Sequence, residues 1–378
     1  MYVTIKSFFA QESATGILLI VAALLGLLLA NSPYAAAYFQ LLNQYFAGLS
    51  LLHWVNDGLM ALFFLYVGLE VKREFLSGEL ATMKQRLLPG AAALGGLLLP
   101  ALIYILWVGL GTDLTRGWAI PTATDIAFAL GILALLGDRV PNSIKVFLTA
   151  LAIIDDLAAI VIIAVFYTAS LQAAYLLAAA AVLLILIAFN RRGVTQTWPY
   201  ALLGLLLWWL VLQSGLHATL AGVALALTIP LRVAGLSSPD AAPLLVWEHG
   251  LTKWVAFGVI PIFGFANAGV SFAGFSWQQL SHPVVLGIAT GLFVGKQVGI
   301  FAVVYLGAKL GWLARPEGAS WRQVYGVSLL CGVGFTMSLF ISLLAFTDPQ
   351  LQDLSKIGVF LGSILAGLSG FLVLRFNR

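Results

Sequence analysis

Long apolar stretches separated by short polar segments run along the whole chain. A helix that crosses a bilayer needs about 20 mostly apolar residues, and twelve stretches fit that description. The seventh and eighth are short and are separated only by Gln213, Ser214 and Gly215. Residues 2–12 are predicted to form a short surface helix, and residues 35–52 a polar and aromatic hairpin. The predicted spans are 14–31, 53–75, 87–109, 118–137, 143–168, 172–190, 196–213, 215–231, 250–274, 284–311, 323–346 and 354–376.

Composition supports the same class of protein. Of the 378 residues, 61% are hydrophobic and 9% are charged, whereas about a quarter of the residues of a soluble domain are charged. We therefore predict an all-α polytopic membrane protein, with one transporter domain over residues 1–378 and the lipid bilayer as its solvent. The net charge of +4 does not indicate nucleic-acid binding, because the basic residues stand singly or in pairs. The lone Cys331 excludes a disulfide within the chain and is interpreted as a small packing residue.

The distribution of basic residues predicts the orientation. If the N-terminus is cytoplasmic, sixteen of the nineteen Lys and Arg residues fall on the cytoplasmic side. Arg116 and Lys356 then fall outside, and Lys296 falls within a span. This asymmetry follows the positive-inside rule. It predicts an even number of spans, with both termini in the cytoplasm.

Four ionisable residues lie at membrane depth. Asp125 is in span four, Asp155 and Asp156 are in the middle of span five, and Lys296 is in the middle of span ten. Each costs about 2.5–3.5 kcal/mol on insertion scales, on the order of 10 kcal/mol together, and such residues usually mark ion paths or proton relays. The alternative is a structural ion pair. One lysine can neutralise only one of the three aspartates, so this alternative leaves two carboxyl groups unexplained.

Three further acidic residues lie near the ends of span two. Asp57 follows Asn56 and is either part of an ion path, a helix cap or an interfacial residue. Glu70 and Glu74 lie near the other end of span two. The simpler interpretation, above all for Glu74, is that they lie at a solvated helix end and pair with Lys72 and Arg73.

Adjacent aspartates in one helix point about 100° apart. Asp155 and Asp156 therefore cannot approach one ion with equivalent geometry. One of them is expected to face the ion, and the other a water-filled approach or a different partner. Their protonation is coupled, so that neither carboxyl group titrates independently.

Two spans carry signals of an interruption. In span four, Pro121 cannot continue an α-helix, and the polar run from Thr122 to Asp125 resembles an N-cap for a second helix that begins near Ile126. In span eleven, Gly332, Gly334 and Thr336 suggest a similar break. The alternative for span eleven is close packing of glycines, the pattern of span twelve, which carries Gly358, Gly362, Ala366 and Gly370 four residues apart.

The two interrupted spans are seven spans apart and therefore run in opposite directions. Antiparallel broken helices are typical of inverted-repeat transporters, in which spans three to five would match spans ten to twelve. Helix N-termini are partially positive and C-termini partially negative. We expect Asp125 to balance the exposed N-termini and Lys296 the exposed C-termini.

Several motifs resemble those of the NhaA-type Na+/H+ antiporters, and the resemblance runs from about residue 5 to the C-terminus. The motifs are Pro121-Thr122-Ala123-Thr124-Asp125-Ile126-Ala127-Phe128, Ile154-Asp155-Asp156-Leu157, Phe265-Ala266-Asn267-Ala268-Gly269-Val270, Gly295-Lys296 and Gly332-Val333-Gly334-Phe335-Thr336-Met337-Ser338. Crossed, interrupted helices of this kind are a known feature of that family.

The resemblance implies a site and an activity. It implies twelve helices and the export of one Na+ or Li+ for two entering protons, across the bacterial inner membrane, with no resident cofactor. Asp155 and Asp156 would bind the ion and carry protons, with Asp156 the direct ligand, and Asp125 and Thr124 would support the site. Lys296 would either pair with Asp155 and share in proton carriage or serve structurally.

The resemblance also implies regulation and assembly. The residues that match the family's cytoplasmic cluster for pH activation are Glu70, Arg73, Glu74, Glu248 and His249. The chain departs from the family where further His and basic residues occur near span nine, because Thr252 and Leu245 stand at those positions. The family implies a homodimer formed through the hairpin after span one.

Two other classes of function share some of these features. An intramembrane aspartyl protease also buries two aspartates, but it needs them on separate helices with a Gly-x-Gly-Asp turn, and the chain has no such motif. A passive cation channel has no need of interrupted antiparallel helices or of proton-carrying carboxyl groups. A flux assay separates coupled counterflow from a downhill leak. The chain has no Walker loop and no His or Cys cluster, and we expect it not to be an enzyme.

Overall fold

The computed structural model describes residues 2–168, 171–233, 241–272 and 276–376, without the side chains of residues 2–13 and Asp138. These residues are almost all helical. The α-helices are α1 (Tyr2–Ala30), α2 (Ala35–Leu42), α3 (Leu51–His53), α4 (Met60–Ser77), α5 (Met83–Val108), α6 (Ile126–Leu135), α7 (Asn142–Phe166), α8 (Ala173–Arg191), α9 (Trp198–Ser214), α10 (Thr219–Thr228), α11 (Pro243–Trp254), α12 (Ile260–Asn267), α13 (Pro283–Thr290), α14 (Lys296–Lys309), α15 (Trp321–Leu330), α16 (Phe335–Ala345) and α17 (Pro349–Arg375).

Tighter and wider helical segments join several of these helices. The 3-10 helices are Asp113–Thr122, Gly137–Arg139 and Trp277–Ser281, and the π-helical segments are Trp54–Leu59, Val255–Val259 and Gly291–Gly295. Each π-helical segment lies inside one continuous helical stretch, so that 51–77, 243–267 and 283–309 each run as one long helix.

Within the described residues, eight helical stretches are long and apolar enough to cross a membrane. Two more arise if each of two bent pairs counts as one span, and two apolar helices, α9 and α10, are shorter. These twelve stretches coincide with the twelve predicted spans. The all-helical polytopic architecture is thus confirmed, while the number of spans stays a prediction. The eight are Leu51–Ser77, Met83–Val108, Asp113–Leu135, Asn142–Phe166, Ala173–Arg191, Pro243–Asn267, Pro283–Lys309 and Pro349–Arg375.

The beginning of the chain differs from its prediction. Helix α1 is continuous from Tyr2 to Ala30, so the separate surface helix over residues 2–12 is wrong. No proline interrupts the chain between Tyr2 and Ala30, and Gly16 lies within the continuous helix. The predicted hairpin is confirmed only in its second half, because α2 occupies 35–42. The hairpin pairs Tyr45 with Ser50, and Gly48 adopts the positive φ that a tight turn requires.

The chain packs as two compact units that interleave in the sequence. The first comprises Met1–Tyr38, Thr82–Ala159 and Asn267–Arg378, and the second comprises Phe39–Ala81 and Ile160–Ala266. Each has its own apolar core, which includes Leu133, Leu148 and Ile300 in the first unit and Leu69 and Leu207 in the second.

Close backbone contacts build the first unit around the middle of α5. The glycines Gly95 and Gly299 meet face to face, and a Cβ on either would lie within 2.3 Å of the other's carbonyl oxygen. One turn away, a Cβ on Gly295 would lie 2.7 Å from the Cα of Pro100. Larger residues would push these helices apart. The contacts therefore fix the depth of Lys296, which directly follows Gly295.

The glycine row of α17 packs as its spacing predicts. A Cβ on Gly362 would lie 2.9 Å from the Cβ of Leu292, and a Cβ on Gly358 would lie 2.9 Å from the carbonyl oxygen of Val285. Because no side chain intervenes, α17 lies directly against the helical stretch 283–309. This contact brings Ser363, next to Gly362, close to the breaks in the two interrupted spans.

Both predicted interruptions are confirmed. The 3-10 helix ends at Thr122, residues 123–125 are extended or irregular, and α6 begins at Ile126. Helix α15 ends at Leu330, and α16 begins at Phe335 with a bend of 42° between them. One detail of span four was not foreseen, since its first half is a 3-10 helix rather than an α-helix.

Candidate ion-binding site

The two breaks lie directly against each other in the first unit. The backbone N–H of Asp125 donates to the carbonyl oxygen of Val333 at 2.7 Å, and the hydroxyl of Ser338 donates to the carbonyl oxygen of Ile120 at 2.7 Å. Residue numbers rise on one side of this pairing as they fall on the other, so the broken segments are antiparallel where they cross. This is the arrangement that the inverted-repeat interpretation requires. The repeat of spans three to five in spans ten to twelve stays a prediction.

Asp125 caps two helices at once. Its Oδ1 accepts from the backbone N–H of Phe128, in the first turn of α6, at 2.9 Å. Its Oδ2 accepts from the backbone N–H of Thr336, in the first turn of α16, at 2.9 Å, and from the Thr336 hydroxyl at 2.5 Å. Asp125 is 2% exposed. One buried carboxylate thus faces the positive ends of both half-helices, which is the geometry expected of it from the sequence.

The second carboxylate of the crossing, Asp155, is paired with a lysine. Its Oδ2 accepts from the ammonium group of Lys296 at 2.5 Å and from the hydroxyl of Thr124 at 2.7 Å. The Thr124 hydroxyl also lies 2.9 Å from the carbonyl oxygen of Cys331. The hydroxyl has one proton, so it can donate either to Asp155 or to the carbonyl oxygen of Cys331, but not to both at once. Lys296 and Thr124 are fully buried, and Asp155 is 4% exposed.

This arrangement changes the expectation for Lys296. Its ammonium group donates to Asp155, whereas the carbonyl oxygen of Cys331, just past the end of α15, lies beside the hydroxyl of Thr124. A side chain from span four, and not Lys296, therefore approaches the negative end of α15. Cys331 itself is buried in an apolar core, in agreement with its interpretation as a packing residue.

One oxygen of Asp155 has no partner. Among the described residues, only Asp155 Oδ1 and the hydroxyl of Thr219 are buried side-chain polar atoms without a hydrogen bond, and Thr219 lies in the other unit. Asp156, next in the chain, is 3% exposed. Buried polar atoms are normally satisfied, and a carboxylate oxygen is a ligand of choice for a hard cation. The oxygens of Asp155, Asp156, Thr124 and Cys331 could hold one.

A π-helical segment directly precedes Lys296. The Lys296 backbone N–H donates to the carbonyl oxygen of Gly291, five residues back. The neighbouring Gln297 amide donates to the carbonyl oxygen of Phe293 at 2.6 Å and accepts from the hydroxyl of Tyr325. Such segments insert a residue into a helix and often occur at functional sites. Sequence reasoning missed this feature. The two glycines of Gly291–Gly295 were the only available signal.

The residues predicted for pH response are in the second unit. The Arg73 Nε lies 2.9 Å from each carboxylate oxygen of Glu248, and Arg73 Nη1 donates to Glu74 at 2.5 Å. Glu70 interacts electrostatically with all three. His249 is exposed at the surface. The structure therefore brings four of the five residues together and leaves the histidine side chain facing outward.

The pairing of Glu74 differs in part from its expectation. Glu74 does pair with Arg73, but it is 8% exposed rather than solvated, and it also accepts from the backbone N–H of Glu79 at 2.7 Å. The ammonium group of Lys72 donates instead to the carbonyl oxygens of Leu227 and Ile229 at the end of α10. Asp57 lies within a π-helical segment, so the cap interpretation is wrong for it, and Ser50 caps this stretch.

Comparison with known proteins identifies the relatives of this chain. The model of the Na+/H+ antiporter 1 family matches residues 6–374. The chain belongs to this family. It is 58% identical over 378 residues to the Na(+)/H(+) antiporter NhaA of Nitrobacter hamburgensis, covering all of this chain and 92% of the relative. It is 56% identical over 375 residues to the NhaA of Caulobacter vibrioides, covering 99% and 91% of the two chains. It is 57% identical to NhaA 2 of Pseudomonas syringae pv. syringae, covering 98% and 94%.

Membership settles the resemblance seen in the motifs. The chain is an all-helical, multi-pass membrane protein of a Na+/H+ antiporter family, and its relatives are named as antiporters. The roles of individual residues, the number of protons and the pH response are not fixed by membership.

Proposed function

We propose that this chain exports Na+ or Li+ from the bacterial cytoplasm in exchange for entering protons, and so contributes to sodium and pH homeostasis. The observation that carries the proposal is Asp155. It is buried at the crossing of two broken helices, beside Asp156, with one oxygen bound to Lys296 and Thr124 and the other without a partner.

The mechanism is competition between a cation and protons for the same carboxylates. Na+ prefers oxygen ligands, and Asp156 with the free oxygen of Asp155 supplies two negative ones. When Na+ leaves on one side, protons take its place, and the site then opens to the other side. Thr124 can follow the change, because its hydroxyl proton can turn from Asp155 to Cys331. Its oxygen then faces the cation.

Lys296 connects the cation to a second proton. A cation that binds Asp155 competes with the ammonium group of Lys296 for the same carboxylate. A buried ammonium without a counter-ion is costly, so loss of this pair favours release of the lysine proton. One proton from the aspartates and one from Lys296 give two protons for each Na+. One net charge then moves inward per cycle, worth about 2.3 kcal/mol per 100 mV.

The test of exchange is Na+-induced proton movement in everted vesicles between pH 6.5 and 9. We expect Na+ or Li+ to dequench a pH-gradient dye with wild-type protein but not with Asp156→Asn. Asp113→Asn is the matched control, because it makes the same chemical change at an exposed position outside the site. Undiminished exchange by Asp156→Asn would overturn the assignment of this carboxylate. A leak of Na+ without proton counterflow would favour a channel.

The number of protons is tested with Lys296→Gln. Glutamine keeps a hydrogen-bond donor near Asp155 but cannot carry the proton. In proteoliposomes with a potassium–valinomycin potential, we expect wild-type exchange to respond to voltage and Lys296→Gln exchange to lose that response. Voltage-dependent exchange by Lys296→Gln would assign the lysine to a structural role instead.

The cluster around Arg73 is the proposed pH-response element. Arg73 is shared between Glu74 and Glu248, so removing the charge of one glutamate leaves the arginine to the other. Glu248→Gln is expected to move the midpoint of the pH profile by about one unit, which corresponds to 1.4 kcal/mol and to a charge-assisted hydrogen bond. His249→Ala, on an exposed side chain, is the control and should leave the midpoint in place. If His249→Ala moves the midpoint and Glu248→Gln does not, the histidine is the pH sensor.

The distribution of basic residues and one exposed hairpin support the proposed location and assembly. Sixteen basic residues on one side support an inner-membrane orientation with both termini in the cytoplasm. Tyr45 and Phe46 on the hairpin are 79% and 73% exposed, which supports pairing of two hairpins in a homodimer. Cysteine pairs placed on the hairpin test this directly. Failure to cross-link in native membranes would contradict the dimer.

A further inference from the structure

The start of α16 has three backbone N–H groups that its own sequence does not satisfy. Its N-cap is Gly334, which has no side chain to accept from the first turn. Ser, Thr, Asp and Asn are favoured at this position because their side chains accept from N–H groups of the first turn. Orphan N–H groups at a buried helix start are costly. Other elements of the fold must therefore supply the acceptors.

Two side chains supply them. Asp125 accepts from the N–H of Thr336, as described above. The hydroxyl of Ser363, on α17, accepts from the N–H groups of both Gly334 and Phe335 at 3.2 Å. Ser363 is 4% exposed. The residue comes from a third helix, which carries none of the charged groups at the crossing.

The position of Ser363 is set by the packing of α17. Its neighbour Gly362 lies against Leu292, so the backbone of α17 approaches the break closely enough for a short serine side chain to reach it. On its other side, Ser363 borders an apolar cavity of about 460 Å³, which Phe335 and Phe360 also line. A hydroxyl group here is surrounded by apolar side chains and has the start of α16 as its polar target.

From this geometry we infer that Ser363 is a positioning residue for the ion site. Ser363 holds the N–H groups of Gly334 and Phe335, so that the next N–H group, at Thr336, meets Asp125 in register. Without Ser363, the carboxylate of Asp125 becomes the only acceptor for the start of α16. The segment 331–334 then shifts, and with it the carbonyl oxygen of Cys331 beside Thr124 and Asp155. The inference rests on the proposed function for its effect on transport.

The capping role is tested first on the purified protein by hydrogen–deuterium exchange. Ser363→Ala should speed exchange of the amides in the peptide covering 331–340 by roughly fivefold or more, the effect of losing a net hydrogen bond. Ser355→Ala is the matched control. Ser355 is a fully buried serine of the same helix whose hydroxyl donates within the helix, to the carbonyl oxygen of Leu351. Equal exchange in the two variants would overturn the inference.

The positioning role is tested by the split between KM and the maximal rate. Ser363→Ala should raise the KM for Na+ roughly threefold or more, whereas Ser355→Ala should leave it unchanged. Ser363→Thr keeps the hydroxyl and can place its methyl group in the neighbouring cavity, so it should restore both KM and amide protection. A merely structural role predicts a lower melting temperature or yield with KM unchanged. That result would overturn the inference.

The two proposals fail separately. Wild-type vesicles without Na+/H+ exchange would reject the proposed function, and amide exchange at 331–340 would still decide whether Ser363 caps α16. Active wild-type vesicles with an unchanged KM in Ser363→Ala would reject the positioning role alone.

Discussion

The two breaks in the first unit reach the same outcome by different routes. In span four, the half-helix α6 is capped by Asp125, three residues before the amide that it binds. In span eleven, the N-cap of α16 is Gly334, which has no side chain, and the capping groups come from Asp125 and Ser363, 211 and 29 residues away from their partners. The cap of the first break comes from a neighbouring residue in the sequence. The caps of the second break are in place only when the surrounding helices have packed together.

This difference indicates which break can respond to the ion. A glycine at the start of α16 leaves room for close approach, because a Cβ on Gly334 would lie within 3 Å of both Ser338 and Leu292. Because glycine has no side chain, the positive end of α16 is capped by groups that lie beside the cation site. Asp125 joins the two halves, so a change at one break is felt at the other.

The largest expected effect comes from Asp125→Ala. This change removes the acceptor of three buried donors, namely the Phe128 N–H, the Thr336 N–H and the Thr336 hydroxyl. Each orphan costs about 1–3 kcal/mol. We expect the melting temperature in detergent to fall sharply and the exchange rate to drop more than about tenfold, since each 1.4 kcal/mol of barrier is a factor of ten.

Asp125→Asn separates the two breaks in the same assay. Its remaining carbonyl oxygen can cap only one half-helix, and its amide nitrogen cannot accept from the other. An intermediate loss, between wild type and Asp125→Ala, is expected. If alanine and asparagine behave alike, the charge of Asp125 matters and its geometry as a double cap does not.

A smaller effect is expected from Thr336→Val, which alters only the second break. Valine keeps the shape but removes the hydroxyl that donates to Asp125 at 2.5 Å. The cost should be about 1–2 kcal/mol, seen as a KM for Na+ several times that of wild type. Thr336→Ser keeps the hydroxyl and serves as the control. An unchanged KM in Thr336→Val would show that the backbone N–H alone sustains the contact.

The contrast between the breaks also explains what sequence reasoning could reach. Pro121 and the polar run to Asp125 form a local signal, and they placed both the break and its cap correctly. The glycines of span eleven located the second break but not its caps, because contacts made across 29 or 211 residues leave no local pattern. The pairing of Lys296 with Asp155 remained one of several options for the same reason, until the helices were in place.

The charged cluster of the second unit shows the same limit. Arg73 and Glu74 are neighbours, and their pairing follows from the sequence. The contact of Arg73 with Glu248 spans 175 residues, and it came only from the family resemblance. Nothing in the sequence indicates that Lys72 donates to the carbonyl oxygens at the end of α10, since any exposed helix end can accept a lysine.

The smallest expected effect is that of Ser338→Ala, the contact farthest from the carboxylates along the crossing. Its hydroxyl donates to the carbonyl oxygen of Ile120, near the end of the 3-10 helix. An under-satisfied carbonyl is tolerated better than an orphan N–H, so we expect a loss of about 0.5–1.5 kcal/mol in stability. Exchange should stay within about twofold of wild type, because the caps of both half-helices are intact. A loss as large as that of Thr336→Val, measured in the same vesicles, would mean that the two segments act as one rigid crossing. The distinction between a local and an assembled break would then no longer account for their behaviour.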